Sequence, residues 1–236
     1  MSEAKQFGLG EDWHSVEEVL KEIIPVYDKT NRYISLGSDL KIRKTGLALL
    51  KQSLRNPSES LILDLGCGTG RMTKLLGVPS VMLDALRPMM RIAKERNLDA
   101  EGVLAIFENL PLKKGIFQGA MAGFAIRDAR RLRDALSEIS EILRVGGFFL
   151  VVDLSKPDSI LRKRVIALYW RVLAPLIAFF AAGRLGLRFA ALSTTYQRLP
   201  TNSEFLNLAE EAGFDLVASK YFMLGGASSL LFRKHA

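Results

Sequence analysis

Cysteine, histidine and tryptophan are scarce in this chain of 236 residues, which holds one cysteine, two histidines and two tryptophans. With Cys67 alone, no internal disulfide and no cysteine-based zinc cluster can form, and a reducing compartment is the expected setting. His14 and His235 lie near the two ends, so histidine catalysis is not expected, nor is a metal site. Repeats, low-complexity runs and inter-domain linkers are also lacking. A chain of this length that is 49% hydrophobic is expected to build a single domain, residues 1–236, around one substantial core. Met1 to Lys21 carries Glu3, Glu11, Asp12, Glu17 and Glu18 and no long apolar stretch, so no secretory signal is expected there. The cytoplasm is the expected location.

An unbroken apolar run of the roughly 20 residues that a spanning helix needs is missing too. The nearest approach is "RKRVIALYWRVLAPLIAFFAAGRLGLR", Arg162 to Arg188, basic at both ends and interrupted by Arg171 and Pro175. It reads as non-spanning, either an ordinary buried helix pair or an apolar cover that lies on a membrane surface. The net charge of +8 suits an anionic partner, nucleic acid or membrane headgroups, and does not choose between them.

What the sequence does contain is an alternation of strand and helix patterns. Helical periodicity around Trp13 to Ile24 and Lys41 to Leu54 precedes a turn at "NPSES" and the buried strand "LILDL". Helix "RMTKLL", strand "SVMLD", helix "RPMMRIAKERN", strand "GVLAIF", strand "GAMAGFAI", a long helix Ala129 to Leu143 and strand "GGFFLVVDL" follow. The tail from Thr201 predicts a capped helix and then a strand pair. This rhythm implies an α/β fold with a mostly parallel sheet and helices on both faces.

Within it, "LILDLGCGTGR", Leu61 to Arg71, places three glycines just beyond the first strand, where open parallel sheets bind ligands. Gly66 and Gly68 permit close approach or left-handed dihedrals, and Gly70 permits tight packing of the next helix. The spacing is neither that of dinucleotide fingerprints nor that of phosphate loops. Asp84 ends the next strand, where a carboxylate can accept both hydroxyls of a ribose. A nucleoside ligand is implied.

The stretch "LDLGCGTG", with Asp84 and "LRVGGFFLVVD", resembles the class I S-adenosylmethionine-dependent methyltransferases. That resemblance implies a Rossmann-like sheet of seven strands and S-adenosylmethionine as cofactor, bound by Asp64, Gly66, Cys67, Gly68, Gly70, Asp84, Ala85, Glu108 and Asn109. Asp64 would accept from the ammonium of the methionine part, aided by the adjoining helix N-terminus. Cys67 reads as a small filler. The stretch "YDKTNRYISLGSDLKIRK", Tyr27 to Lys44, resembles the N-terminal signature of the ubiquinone/menaquinone biosynthesis C-methyltransferase family. "GFAIRDA", Gly123 to Ala129, and "VVDLSKP", Val151 to Pro157, resemble its segments after the fourth and fifth strands, and "TTYQRL", Thr194 to Leu199, is a weaker echo. Together they cover the chain from Leu20 onward, with residues 1–55 as an N-terminal helical cap and 158–195 as an inserted helical cover after strand 5.

That family implies C-methylation of an apolar aromatic quinol or phenol in lipid quinone biosynthesis. Arg127 would stabilise the ring oxyanion or orient a water, Tyr27 would shape the ring pocket, and Asp128 would be a base through water or a clamp on Arg127. For each a plainer role exists: Arg127, Arg130, Arg131 and Arg133 as a solvated basic face, Tyr27 as a core aromatic. The chain departs from the family at Ile106, where an acid usually lies beside the adenine, and at Asp128, Ile42 and Arg198, which implies a related but altered substrate. An O- or N-methyltransferase of another small apolar acceptor and a non-catalytic cofactor-binding module remain as alternatives. Nucleic acid is not an expected partner, because the fourth strand is not followed by an Asn/Asp-Pro-Pro-aromatic segment and no cysteine pair exists. The cover could also rest on an anionic membrane, which would add peripheral contact at the inner membrane surface to the cytoplasmic location. Oligomeric state is not legible.

Overall fold

The computed structural model describes residues 7–235. Helices α1 (Trp13–Ile23), α2 (Tyr27–Ile34) and α3 (Ser38–Ser53) lead into β1 (Ile62–Leu65), α4 (Arg71–Leu76), β2 (Ser80–Asp84), α5 (Arg87–Arg96), β3 (Glu101–Leu104) and β4 (Phe117–Gly123). Helix α6 (Leu132–Ile142), β5 (Leu143–Leu154), the helices of the insertion, α11 (Asn202–Glu211), β6 (Phe214–Phe222) and β7 (Ala227–Lys234) complete the chain. The seven strands form one sheet in the order β3-β2-β1-β4-β5-β7-β6. β1 to β5 pair in parallel, while β7 is antiparallel to both β5 and β6. This is the Rossmann-like class I arrangement, and its order reverses between β1 and β4, which places a ligand crevice at the carboxyl end of β1.

The strands read as continuous apolar runs because helices cover both faces. All four residues of β1 are buried, as are Ala120, Met121 and Ala122 of β4 and Phe149 to Val152 of β5. On one face Phe117, Phe149, Phe214 and Phe232 pack with α6 residues Leu136 and Ile139; on the other, α3 contributes Ile42, Leu47 and Leu50 against Met121, Leu150 and Val152. Thus α3 is a sheet helix, although the sequence reading placed it with the cap. Thr201 and Glu204 form the capping box that opens α11.

Two expectations are corrected. The helix expected from Ala129 begins only at Leu132. The segment Phe7 to Gly10 lies alongside, and the Leu9 and Gly10 N–H groups donate to the Ala129 and Arg130 carbonyls, which draws those residues out of helical geometry. The second concerns the insertion, where α7 (Ile160–Leu168), a π-helical turn (Tyr169–Leu173) and α8 (Ala174–Ala182) run as one continuous helix Ile160–Ala182. Arg171 and Pro175 do not break it, because the wider π turn relieves the contact between the proline ring and the carbonyl four residues before it. Nor is it a buried helix pair: 17% of its apolar length is buried, and it is long and apolar enough to cross a membrane. Short α9 (Arg184–Leu187) and α10 (Ala191–Arg198) return the chain to the sheet.

A Cβ on Gly46, in α3, would lie 2.5 Å from Val152 Cγ2 and 3.1 Å from Leu150 Cδ1. Gly46→Ala is expected to cost about 1–3 kcal/mol through overpacking of this helix on the sheet, read as a lower urea midpoint at constant m-value.

Candidate active site

The glycine loop is built by three left-handed residues, with φ of 61° at Gly66, 54° at Gly68 and 75° at Gly70. Asp84 holds it in place from the neighbouring strand. The Gly68 N–H donates to Asp84 Oδ2 at 2.7 Å, and the Leu86 N–H donates to Oδ1 at 2.8 Å. Burial pushes the Asp84 carboxyl up from its ordinary value, while these N–H groups oppose the shift. A carboxylate offers about four lone-pair sites, so two remain for a ligand's hydroxyls. A Cβ on Gly66 would meet Ala125 and Phe107 at 2.5 and 2.9 Å, whereas one on Gly68 would meet nothing within 4 Å. The first glycine is required by packing, and the second leaves its backbone open to the crevice.

Beside the loop lies a partly open cleft, at the strand ends where sheets of this kind take small-molecule ligands. Gly66, Gly68, Asp84, Ala85, Glu108, Tyr27 and Asp128 line it together, with Ile106 and Phe107. Trp13 and Leu20 of α1 close it, and Arg130 stacks its guanidinium 5.6 Å from the Trp13 ring centre. Ile106 thus makes an apolar wall, and the nearest acid on that segment is Glu108, which also accepts the Arg131 N–H at 3.0 Å.

Four expected cofactor residues stand behind this wall rather than in it. Asp64 is fully buried; its Oδ2 accepts from Thr73 Oγ1 at 2.7 Å and from the Thr73 N–H at 3.1 Å, which anchors the start of α4. Its Oδ1 has no partner, and burial pushes the carboxyl up to about 6 despite the Thr73 bonds. Cys67 packs among Met82, Met90 and Ala93, and burial holds its thiol well above the usual range. Gly70 packs on Ala93 and Asn97. Asn109 closes a turn through its N–H to the Ile106 carbonyl. None of the four lines the cleft; Asp64, Cys67 and Gly70 support the glycine loop from behind, and Asp64 Oδ1 is left as an acceptor without a hydrogen bond.

The cleft nevertheless fits the cofactor's polar ends, with an acid carrying free lone pairs at the ribose position, an open glycine backbone and an orphaned buried Asp64 oxygen for a cationic donor.

Arg127 lies in the wall of a second cavity, which it shares with Arg43, Asn31, Ser35, Trp170 and Ala174. Phe124 belongs to both walls and is a non-glycine residue in left-handed geometry, φ 59°. Arg43 and Arg127 place their guanidinium carbons 4.7 and 5.9 Å from its ring centre. Arg127 Nη1 donates to Asp153 Oδ1 at 2.7 Å, and its Nε lies 3.7 Å from Asp128 Oδ1. Burial alone would lower the Arg127 guanidinium, but Asp153 and Asp128 outweigh it and leave it raised. For Asp128, burial dominates and pushes the carboxyl up to about 6, with Arg127 pulling the other way. Arg127 is therefore no solvated surface charge.

Tyr27 stacks on Phe189 of the insertion at 6.4 Å, and burial raises its hydroxyl above the ordinary tyrosine value. Below it, Asp28 accepts from Thr69 Oγ1 at 2.9 Å and from Arg96 Nη2 at 3.0 Å, and Asp39 pairs with Arg71 at 2.9 Å. The sequence reading quoted Asp28 and Arg43 without roles and passed over Asp153, Trp13 and Phe124. Only the acid inside "VVDL" gave a signal for Asp153, since an acid in a buried strand needs a partner.

The sequence profile of the ubiE/COQ5 methyltransferase family matches residues 8–232. The chain is similar to a demethylmenaquinone methyltransferase of Lactiplantibacillus plantarum, 28% identical over 235 residues that span 94% of this chain and 97% of that protein. It is 29% identical over 241 residues to the ubiquinone/menaquinone biosynthesis C-methyltransferase UbiE of Syntrophotalea carbinolica, spanning 96% and 98% of the two. Among solved structures, a SAM-dependent methyltransferase of Thermotoga maritima, titled a possible histamine N-methyltransferase, superposes with a TM-score of 0.60 at 18% identity, covering 92% of this chain and 100% of that one.

Calorimetric titration of S-adenosylmethionine is expected to show binding by the parent and a loss of about 1.5–3 kcal/mol in Asp84→Ala, the range for hydrogen bonds to a charged group.

Proposed function

The chain belongs to the ubiE/COQ5 methyltransferase family and is an S-adenosylmethionine-dependent methyltransferase; on that premise we propose that it methylates a ring carbon of an electron-rich quinol or phenol precursor of a lipid quinone. The observation that carries this reading is the second cavity, where two guanidinium groups face an otherwise largely apolar enclosure that shares Phe124 with the cofactor cleft. The names of the relatives point the same way.

The cofactor supplies an electrophilic methyl group on a sulfonium. The protein's part is to align the ring and raise its electron density. A ring hydroxyl has a pKa of about 10 by analogy with tyrosine, and a fixed cation beside it favours the phenolate. Arg127 is suited to this, because Asp153 fixes its orientation from one side and its charge is permanent. Being permanently protonated, it has no lone pair with which to accept a proton itself. Asp128, which lines the cofactor cleft and whose Oδ1 lies 3.7 Å from Arg127 Nε without a hydrogen bond, takes that proton through water. The ring carbon beside the oxygen gains the methyl group and loses its own hydrogen as a proton while the oxygen regains one as the ring becomes aromatic again, so one proton in all is released per methyl transferred.

The apolar remainder of the cavity, with Ile34, Ile42, Trp170 and Phe189, suits a hydrophobic ring system. Ile42 replaces an indole expected in the family, and Asp128 adds a charge, so the acceptor differs in detail from that of the named relatives.

Two outcomes test this. With a demethylated quinol as acceptor, Arg127→Lys is expected to lower kcat by roughly 10²–10³-fold, the cost of a displaced oxyanion donor, while calorimetry shows unchanged cofactor affinity, since Arg127 lies outside the cleft wall. Methylation at oxygen or nitrogen instead of carbon, read by mass spectrometry and NMR of the product, would overturn the ring-carbon reading. Because Asp128 is protonated below about pH 6 and can accept a proton only above it, kcat/KM is expected to fall on the acid side with a midpoint near 6. In Asp128→Asn that acid limb should vanish with a rate loss of about 10²-fold or more.

A further inference from the structure

The continuous helix Ile160–Ala182 is apolar on the side that the protein leaves open. Leu161, Val165, Leu168, Val172, Leu176 and Phe180 follow one another at intervals of three and four residues and share an exposed stripe, with Leu161 73% and Phe180 80% exposed. The opposite side packs inward through Ile166, Ala174 and Ala178. Isolated exposed apolar side chains are ordinary, but a stripe six residues long is not.

Charge identifies the occupant. Between Ser159 and Thr201 the sequence has no aspartate or glutamate and seven lysines or arginines. Arg162, Lys163 and Arg164 stand at the start of the helix, Arg171 in its middle and Arg184 just past its end, and none of these five has an ion-pair partner among the described residues. A second copy of the chain laid on the same stripe would bring these cations against their own kind, because a two-fold interface pairs like with like. An anionic lipid surface complements both features, taking the apolar stripe among its acyl chains and the cations at its headgroups.

The helix cannot reasonably cross the bilayer. The insertion leaves and re-enters the fold at one place, where Lys156 bridges Thr201 and the Asn202 N–H donates to the Lys156 carbonyl at 2.8 Å. A single crossing would strand one end on the far side.

The inward side of the same helix walls the second cavity. Trp170, Ala174 and Met223 line it, and next to Met223, in the turn before β7, Leu224 projects 64% exposed. Leu36, between α2 and α3, is 69% exposed and adjoins this region, since Tyr169 of the helix donates its hydroxyl to the Ile34 carbonyl.

We infer that this face docks on an anionic bilayer with the helix Ile160–Ala182 parallel to its surface, and that the second cavity opens toward the lipid, so a lipid-tailed acceptor reaches Arg127 without crossing water. The docking stands on the surface alone; the path for the acceptor rests on the quinol reading above.

The test uses the full chain with vesicles of phosphatidylcholine, with and without phosphatidylglycerol, followed by flotation. The parent is expected to float with the anionic vesicles and weakly or not at all with the neutral ones. Leu168→Asp plus Phe180→Asp is expected to weaken that binding roughly tenfold or more, with thermal unfolding and cofactor affinity unchanged. On a quinol carrying a long tail in anionic vesicles its rate should fall by a similar factor, and on a short, water-soluble quinol it should equal the parent's. Failure of the parent to bind, equal binding by the double variant, or a dimer in sedimentation that the double variant abolishes would overturn the docking. Normal docking with no turnover of either quinol would instead sink the quinol reading and leave the docking standing.

Discussion

The site depends on one carboxylate, Asp84, which crosses from the end of β2 to hold the loop that follows β1. By accepting the Gly68 and Leu86 N–H groups it fixes three left-handed residues that would otherwise be free to move, and it does so with lone pairs to spare. The rest of the loop is supported from behind by Asp64 on Thr73 and by Gly70 packed on α5. These are short-range contacts between neighbouring strands. A parallel sheet places them at one end as a matter of geometry.

Around that anchor the chain confines several charges that burial disfavours. Arg127 and Asp153 form a pair with 7% and 4% side-chain exposure, with Asp128 and Arg43 close by. Removing a single partner from such a group leaves an uncompensated buried charge, so the cluster is held together as a unit. Such a cluster keeps a fixed cation, Arg127, in a region that water screens little. Phe124, held in left-handed geometry by its N–H to the Val152 carbonyl, divides this region from the cofactor cleft. Strained backbone of this kind persists where the surroundings over-determine it.

The N-terminal cap is fastened to the cofactor loop by Asp28 of α2 on Thr69 and Arg96, and α3 adds a second tie through Asp39 on Arg71. Tyr27, one residue from Asp28, faces the cleft and stacks on Phe189 of the insertion. The cap, the loop and the insertion therefore meet at a single place, beside the cofactor cleft.

Much of this was legible in one dimension. Apolar runs, their spacing and the glycine loop determined the alternation of strands and helices and the place of the crevice at the end of β1, because these rest on local backbone constraints and on parallel pairing; that Asp84 holds the loop was visible only in the fold. Pairings between residues far apart in the chain were not legible: Asp153 with Arg127, Asp28 with Arg96, and the Phe7–Gly10 segment that trims the start of α6. Proline and arginine within Ile160–Ala182 read as interruptions, and only the folded chain decided that a π turn carries the helix through them. The sequence by itself determined what each segment is, through periodicity and local propensity; the tertiary structure decided which buried charges face one another and which apolar side stays open, because both depend on distances that no local pattern encodes.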